Sequence, residues 1–137
     1  MGIEAKGLTP LLQVYDMPAS VRFYRDVLGF EVTATSPQLG DDRFHWAPLR
    51  MGDVELMLNT AYESDEERPA RRDSARTSAH EDTGLYFSCP DVYGACEELR
   101  TKGARVEELR VASYGLKQMY LRDPDGYVLC FQWRVEE

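Results

Sequence analysis

One order of elements occurs twice in this chain. In the first half, hydrophobic alternation predicts a strand over Leu11–Tyr15, a turn at Asp16, a helix over SVRFYRDVLGF and a strand from Glu31. In the second half it predicts a strand over Leu85–Cys89, a turn at Pro90-Asp91, a helix over VYGACEELRTKG and a strand from Arg105. Each half then offers a hairpin, around Gly52-Asp53 and around Asp123-Pro124-Asp125-Gly126. A unit that returns roughly 75 residues later implies two stacked copies of one small module. The 137 residues suit one compact domain, 1–137, or two half-sized modules sharing a core, so function is expected on the concave surface the copies enclose.

The repeat helices are well marked. Ser20 or Asp16 can cap the first, and Val21, Tyr24, Val27 and Leu28 recur at helical spacing before Gly29. The second runs from about Val92 to Lys102, with Cys96 and Leu99 inward, and Glu97, Glu98, Arg100 and Lys102 in solvent. Between module one (about 8–60) and module two (about 84–134) lies a charged stretch, 61–83, poor in apolar residues. Such composition cannot offset its ordering entropy, which predicts a mobile linker, or a lid that orders over bound ligand.

Strand phase follows from the first hairpin. A two-residue turn with glycine first sets Met51 opposite Val54, Arg50 opposite Glu55, Pro48 opposite Met57 and Trp46 opposite Asn59. One face then carries Trp46, Arg50, Glu55, Met57 and Asn59, and the other Leu49, Leu56 and Leu58. The leucine face is a core face packing on helix one. The mixed face is too polar for a core and too aromatic for plain solvent, which suits a ligand cavity.

Composition narrows the partners. A net charge of −8 argues against nucleic acid, whose phosphates demand a basic surface, and is compatible with a cationic ligand. No apolar run approaches the ~20 residues that span a membrane. The start MGIEAKGLTP has neither the basic nor the apolar part of a secretory signal. Cys89, Cys96 and Cys130 are odd in number and lack zinc-ligand spacing, so they read as free thiols in a reducing cytoplasm.

The stretches LLQVYDMPASVRFYRDVLGFEV, PDVYGAC and YLRDPDGYVLCF, in this order, resemble the vicinal oxygen chelate superfamily of glyoxalase, bleomycin-resistance and extradiol-dioxygenase proteins. The likeness runs from about Leu8 to Trp133. It implies an α+β fold of two βαβββ modules, an incomplete barrel around a cleft with helices outside, and commonly a homodimer. The superfamily's metal enzymes carry ligands at four positions, which the resemblance maps onto Thr9, Glu55, Gly84 and Cys130. Only Glu55 matches, and neither His45 nor His80 falls at a ligand position. A transition ion needs about three converging protein donors, so no metal and no cofactor is expected.

Period-two alternation carried out from those positions gives the expected binding residues. They are Gln13, Trp46, Glu55, Met57 and Asn59 in the first module, with Tyr86, Ser88, Gln118, Tyr120 and Cys130 in the second. Aromatic platforms and amides suit a planar or amphipathic organic molecule. The expectation is therefore a metal-independent binding protein of the bleomycin-resistance type, cytoplasmic and homodimeric, that sequesters an aromatic or cationic compound. The alternative is a glyoxalase-like lyase, isomerase or dioxygenase that uses Glu55 as base or an atypical metal site. Glu55 is either paired with Arg50 or free to act, and Cys130 is either a small buried apolar group or a nucleophile without a nearby base.

Overall fold

The computed structural model describes residues 2–62 and 64–135. The chain divides between Arg68 and Pro69 into two compact units of α+β type, each built on a four-stranded mixed sheet that stays open. In the first unit the order is β1 (Leu11–Val14), helix α1 (Met17–Val21), β2 (Glu31–Val32), β3 (Trp46–Met51) and β4 (Val54–Thr60). The sheet runs β1-β4-β3-β2, with β1 and β4 parallel and the other pairs antiparallel. This is the βαβββ module expected from the repeat.

Local sequence explains how the unit starts. Leu12 and Val14 alternate into the core, and the Asp16 carboxylate accepts from the Ala19 amide at 3.3 Å, capping α1 just ahead of Pro18. Of the two cap candidates Asp16 takes the role, while Ser20 is buried inside the helix. The second half of the predicted helix, Arg22–Val27, is wound as a π-helix, with the Leu28 amide bonded to the Phe23 carbonyl at 3.0 Å. The wider turn brings Tyr24 wholly into the core, where Phe23 and Phe30 meet its ring edge-on, and leaves Val27 only half-buried.

The second unit adds β5 (Gly84–Ser88), α3 (Val92–Thr101), β6 (Arg110–Val111), β7 (Leu116–Arg122) and β8 (Val128–Arg134). Its sheet runs β5-β8-β7-β6, with β5 and β8 parallel. Asp91 caps α3 through the Gly94 amide, and α3 packs Val92, Cys96 and Leu99 against β7 and β8. Phe87 and Phe131 stack at 4.7 Å on the same core face. The strand expected from Arg105 begins only at Arg110, and Val106 contributes a single bridge to Leu121. All three cysteines are free thiols. Among the described residues no helix is long and apolar enough to cross a membrane.

The stretch 61–83 departs from a structureless linker. Ser74–His80 forms a helix, α2, capped by Asp73. It is pinned within the second unit at the Asp123–Gly126 turn. His80 Nδ1 donates to the Asp125 carbonyl at 2.7 Å and its ring stacks on Tyr127 at 4.0 Å. Arg72 pairs with Asp125 at 3.1 Å, and Glu81 pairs with Arg122. A helix with no buried residue of its own is held here by polar and ring contacts, which composition alone does not reveal.

Candidate functional site

The register of the first hairpin is the one its turn dictates. Gly52 supplies the positive φ of +59°, and the pairs Met51–Val54, Arg50–Glu55, Pro48–Met57 and Trp46–Asn59 all form. The β1–β4 ladder adds Gln13 beside Asn59. Gln13, Trp46, Glu55, Met57 and Asn59 therefore share one face of the first sheet, opposite the buried Leu12, Val14, Ala47, Leu49, Leu56 and Leu58. On that face the Asn59 amide donates to Gln13 Oε1 at 3.3 Å and to the Thr60 carbonyl at 3.0 Å. Trp46 is fixed from behind, because Ser36 Oγ accepts from the His45 and Trp46 amides at 2.9 and 3.1 Å. Glu55 is paired: Arg50 Nε donates to its carboxylate at 3.1 Å. Both side chains are about half exposed, so the pair is a surface one worth little stability.

The second sheet brings its five expected residues onto one face as well. Tyr86 lies beside Cys130 and Cys130 beside Tyr120, while Ser88 lies beside Gln132 and Gln132 beside Gln118. The alternation gives this neighbourhood but not its wiring. The Gln118 amide, 3% exposed, donates to Gln132 Oε1 at 2.9 Å, and Tyr120 Oη donates to Gln118 Oε1 at 3.3 Å. The Tyr86 and Tyr120 hydroxyls are 3.2 Å apart, and their rings meet edge-on at 6.1 Å. The result is an uncharged hydrogen-bonded chain, Tyr86–Tyr120–Gln118–Gln132, with the Tyr86 ring 55% exposed at one end.

Protonation keeps this face neutral. The Tyr120 phenol is pushed well above its ordinary range by its bond to Tyr86, then by burial, with Cys130 adding to the shift. Burial raises the Cys130 thiol, and the hydrogen bond from Tyr120 only partly offsets this. A fully buried thiol held protonated is no nucleophile at neutral pH.

The four positions where metal-dependent relatives carry ligands do not form a donor set. Thr9 precedes β1 and is exposed. Glu55 is held by Arg50, and Cys130 is a protonated thiol. At Gly84 the space is taken: a Cβ placed there would come within 2.9 Å of the Tyr86 ring. Among the described residues no three His, Cys, Asp or Glu side chains are grouped to hold an ion. The residues present do not fit a metal.

A family model described as the Glyoxalase/Bleomycin resistance protein/Dioxygenase superfamily matches residues 8–131. The crystal structure of SMU.1112c is 30% identical, with 95% of this chain and 100% of that chain covered and a TM-score of 0.70. A glyoxalase/bleomycin resistance protein/dioxygenase from Nocardioides is 21% identical, covering 98% and 87% of the two chains with a TM-score of 0.73. TnmS3, an antibiotic binding protein from Streptomyces sp. CB03234, is 20% identical, covering 96% and 99% with a TM-score of 0.65.

Proposed function

Because the chain belongs to the glyoxalase/bleomycin resistance protein/dioxygenase superfamily, we propose that it is a binding protein that sequesters a small aromatic or cationic organic compound without a metal. One observation carries this reading: the face of the second sheet is an uncharged, hydrogen-bonded array of phenols and amides, where a metal enzyme of this superfamily needs charged donors. Such an array orients a neutral or weakly polar group, and the exposed Tyr86 ring offers apolar area and a π face for a cation. On the first sheet the half-buried Trp46, Met57 and the Asn59–Gln13 amide pair have the same character. TnmS3 is an antibiotic binding protein with this fold, which supports small-molecule binding as a use of it. The residues proposed for ligand binding are Gln13, Trp46, Glu55, Met57 and Asn59 on the first sheet and Tyr86, Ser88 and Tyr120 on the second, where the buried Gln118 and Cys130 support them from within, in a cytoplasmic homodimer.

The test is a titration of purified protein with a panel of aromatic and cationic compounds, read by intrinsic tryptophan fluorescence in the presence of chelator. Saturable quenching that Tyr86→Ala weakens is expected. A stoichiometric metal whose removal abolishes binding, or silence across a broad panel, overturns the reading. Sedimentation velocity reports the dimer.

A further inference from the structure

A pocket that shares no residue with the candidate faces of the two sheets lies in the first unit. It has a volume of about 230 Å³ and is lined by Arg22, Arg43, Arg68 and His45, with Asp16 and Asp65 as its carboxylates among the described residues. Among the described lining residues, three guanidiniums stand against two carboxylates, a positive balance on a chain whose net charge is −8. The balance tightens on inspection. Asp16 is committed to the helix cap through Ala19. Asp65 is shared: Arg43 Nη1 donates to Oδ2 at 3.1 Å and Arg68 Nη1 to Oδ1 at 3.3 Å. Arg22 has no ion-pair partner among the described residues.

Each guanidinium has five N–H donors in a planar fork, so sharing one carboxylate between two of them leaves most of their donors unused. Arg68 is further held by its position over the Tyr15 ring, 5.7 Å from the centroid. The Asp65 carboxylate thus occupies the place where an external oxyanion would be gripped, one oxygen to each arginine.

We propose that this pocket binds the oxyanion group, carboxylate or phosphate, of a small acidic compound, with Arg22, Arg43 and Arg68 as its donors and Asp65 as an internal competitor. The volume admits the anionic group and a few attached carbon atoms. Asp65 lowers the affinity by neutralising part of the charge, so its removal strengthens binding.

The full chain, labelled with nitrogen-15, is titrated at low salt with inorganic phosphate and, separately, with acetate. Saturable shifts confined to residues near Arg22, Arg43 and Arg68 are expected. Phosphate alone saturating identifies a phosphoryl group, and acetate alone a carboxylate; either outcome supports the pocket. Asp65→Asn is expected to tighten binding about tenfold and Arg43→Gln with Arg68→Gln to weaken it about tenfold, as gain or loss of a charge-assisted contact implies. Arg43 and Asp65 are both about half exposed and Arg68 is part-buried beside Tyr15, so circular dichroism checks that each variant keeps the fold. Shifts spread over the whole surface without saturation, or affinities that these substitutions leave unchanged, overturn the proposal.

Discussion

Gly126 is where the second hairpin meets α2 most closely, and replacing it with alanine measures whether α2 is a docked part of its unit. Gly126 has a φ of +87°, and a Cβ there would lie 2.5 Å from the Thr77 carbonyl oxygen and 2.9 Å from Thr77 Cγ2. Two costs therefore act together. A non-glycine residue at positive φ loses about 1–2 kcal/mol, and forcing a methyl group into packed atoms adds about 1–3 kcal/mol. Gly52 separates them, because its φ is +59° yet nothing lies within 4 Å of its Cβ position. Gly52→Ala should then cost about 1–2 kcal/mol and Gly126→Ala about 2–5 kcal/mol. α2 buries no residue, so its easiest response to the methyl group is to lift away, taking His80 off Tyr127. Urea unfolding of both variants gives the difference, and hydrogen exchange of the Ala75–His80 amides shows whether α2 has loosened. If Gly126→Ala loses no more than Gly52→Ala, and those amides exchange as in the parent protein, α2 is not packed on the turn. The stretch would then behave as the mobile linker its composition suggests.

Three further outcomes follow from the site. Cys130 has a folded pKa above its unfolded one, so its stabilisation is complete below about pH 8.5 and is lost as pH rises through the folded value. Unfolding free energy measured from pH 7.5 to 10 should fall, and Cys130→Ala should reduce that slope; an unchanged slope refutes the assignment. Glu55→Gln should change stability by less than about 1 kcal/mol in thermal unfolding, as expected of an exposed pair. Gln118→Leu removes partners from Gln132 and Tyr120 and should cost about 1–3 kcal/mol while weakening ligand binding, read by denaturation and fluorescence together.

The parts of the fold that were legible in the sequence are those set by short-range rules. Gly52-Asp53 fixed a turn, the turn fixed the β3–β4 register, and a period of two then placed Trp46, Met57 and Asn59 on one face with no further information. The same alternation grouped Tyr86, Ser88, Gln118, Tyr120 and Cys130. What escaped depends on contacts distant in sequence. α2 is held by residues more than 40 positions away, including Asp125, so its own charged composition was misleading; Asp73 ahead of Ser74 was the one available cap signal. The π-wound turn at Arg22–Val27 has the same apolar spacing as an α-helix until the packing of Tyr24 selects between them. The Arg22, Arg43 and Arg68 cluster joins a helix to two loops and has no periodic signature at all.

The arrangement around Tyr86 explains why the neutral face would resist reversion to metal binding by a single substitution. Two of the ligand positions of metal-dependent relatives, Gly84 and Cys130, lie on this face, and Tyr86 adjoins both. Its ring covers Gly84 at 2.9 Å from a built Cβ, and its backbone is paired with Cys130 across the β5–β8 ladder. A histidine introduced at Gly84 must displace the Tyr86 ring. That movement breaks the contact with the Tyr120 hydroxyl, which also donates to Gln118. Gly84→His alone should therefore lose stability without gaining zinc affinity. Combined with Tyr86→Ala it no longer meets the ring, yet Cys130, the other ligand position on this face, is still a buried, protonated thiol. Zinc binding by the double variant at neutral pH, followed by calorimetry, would show that the thiol ionises more readily than its burial implies, and the neutral character assigned to this face would then be wrong.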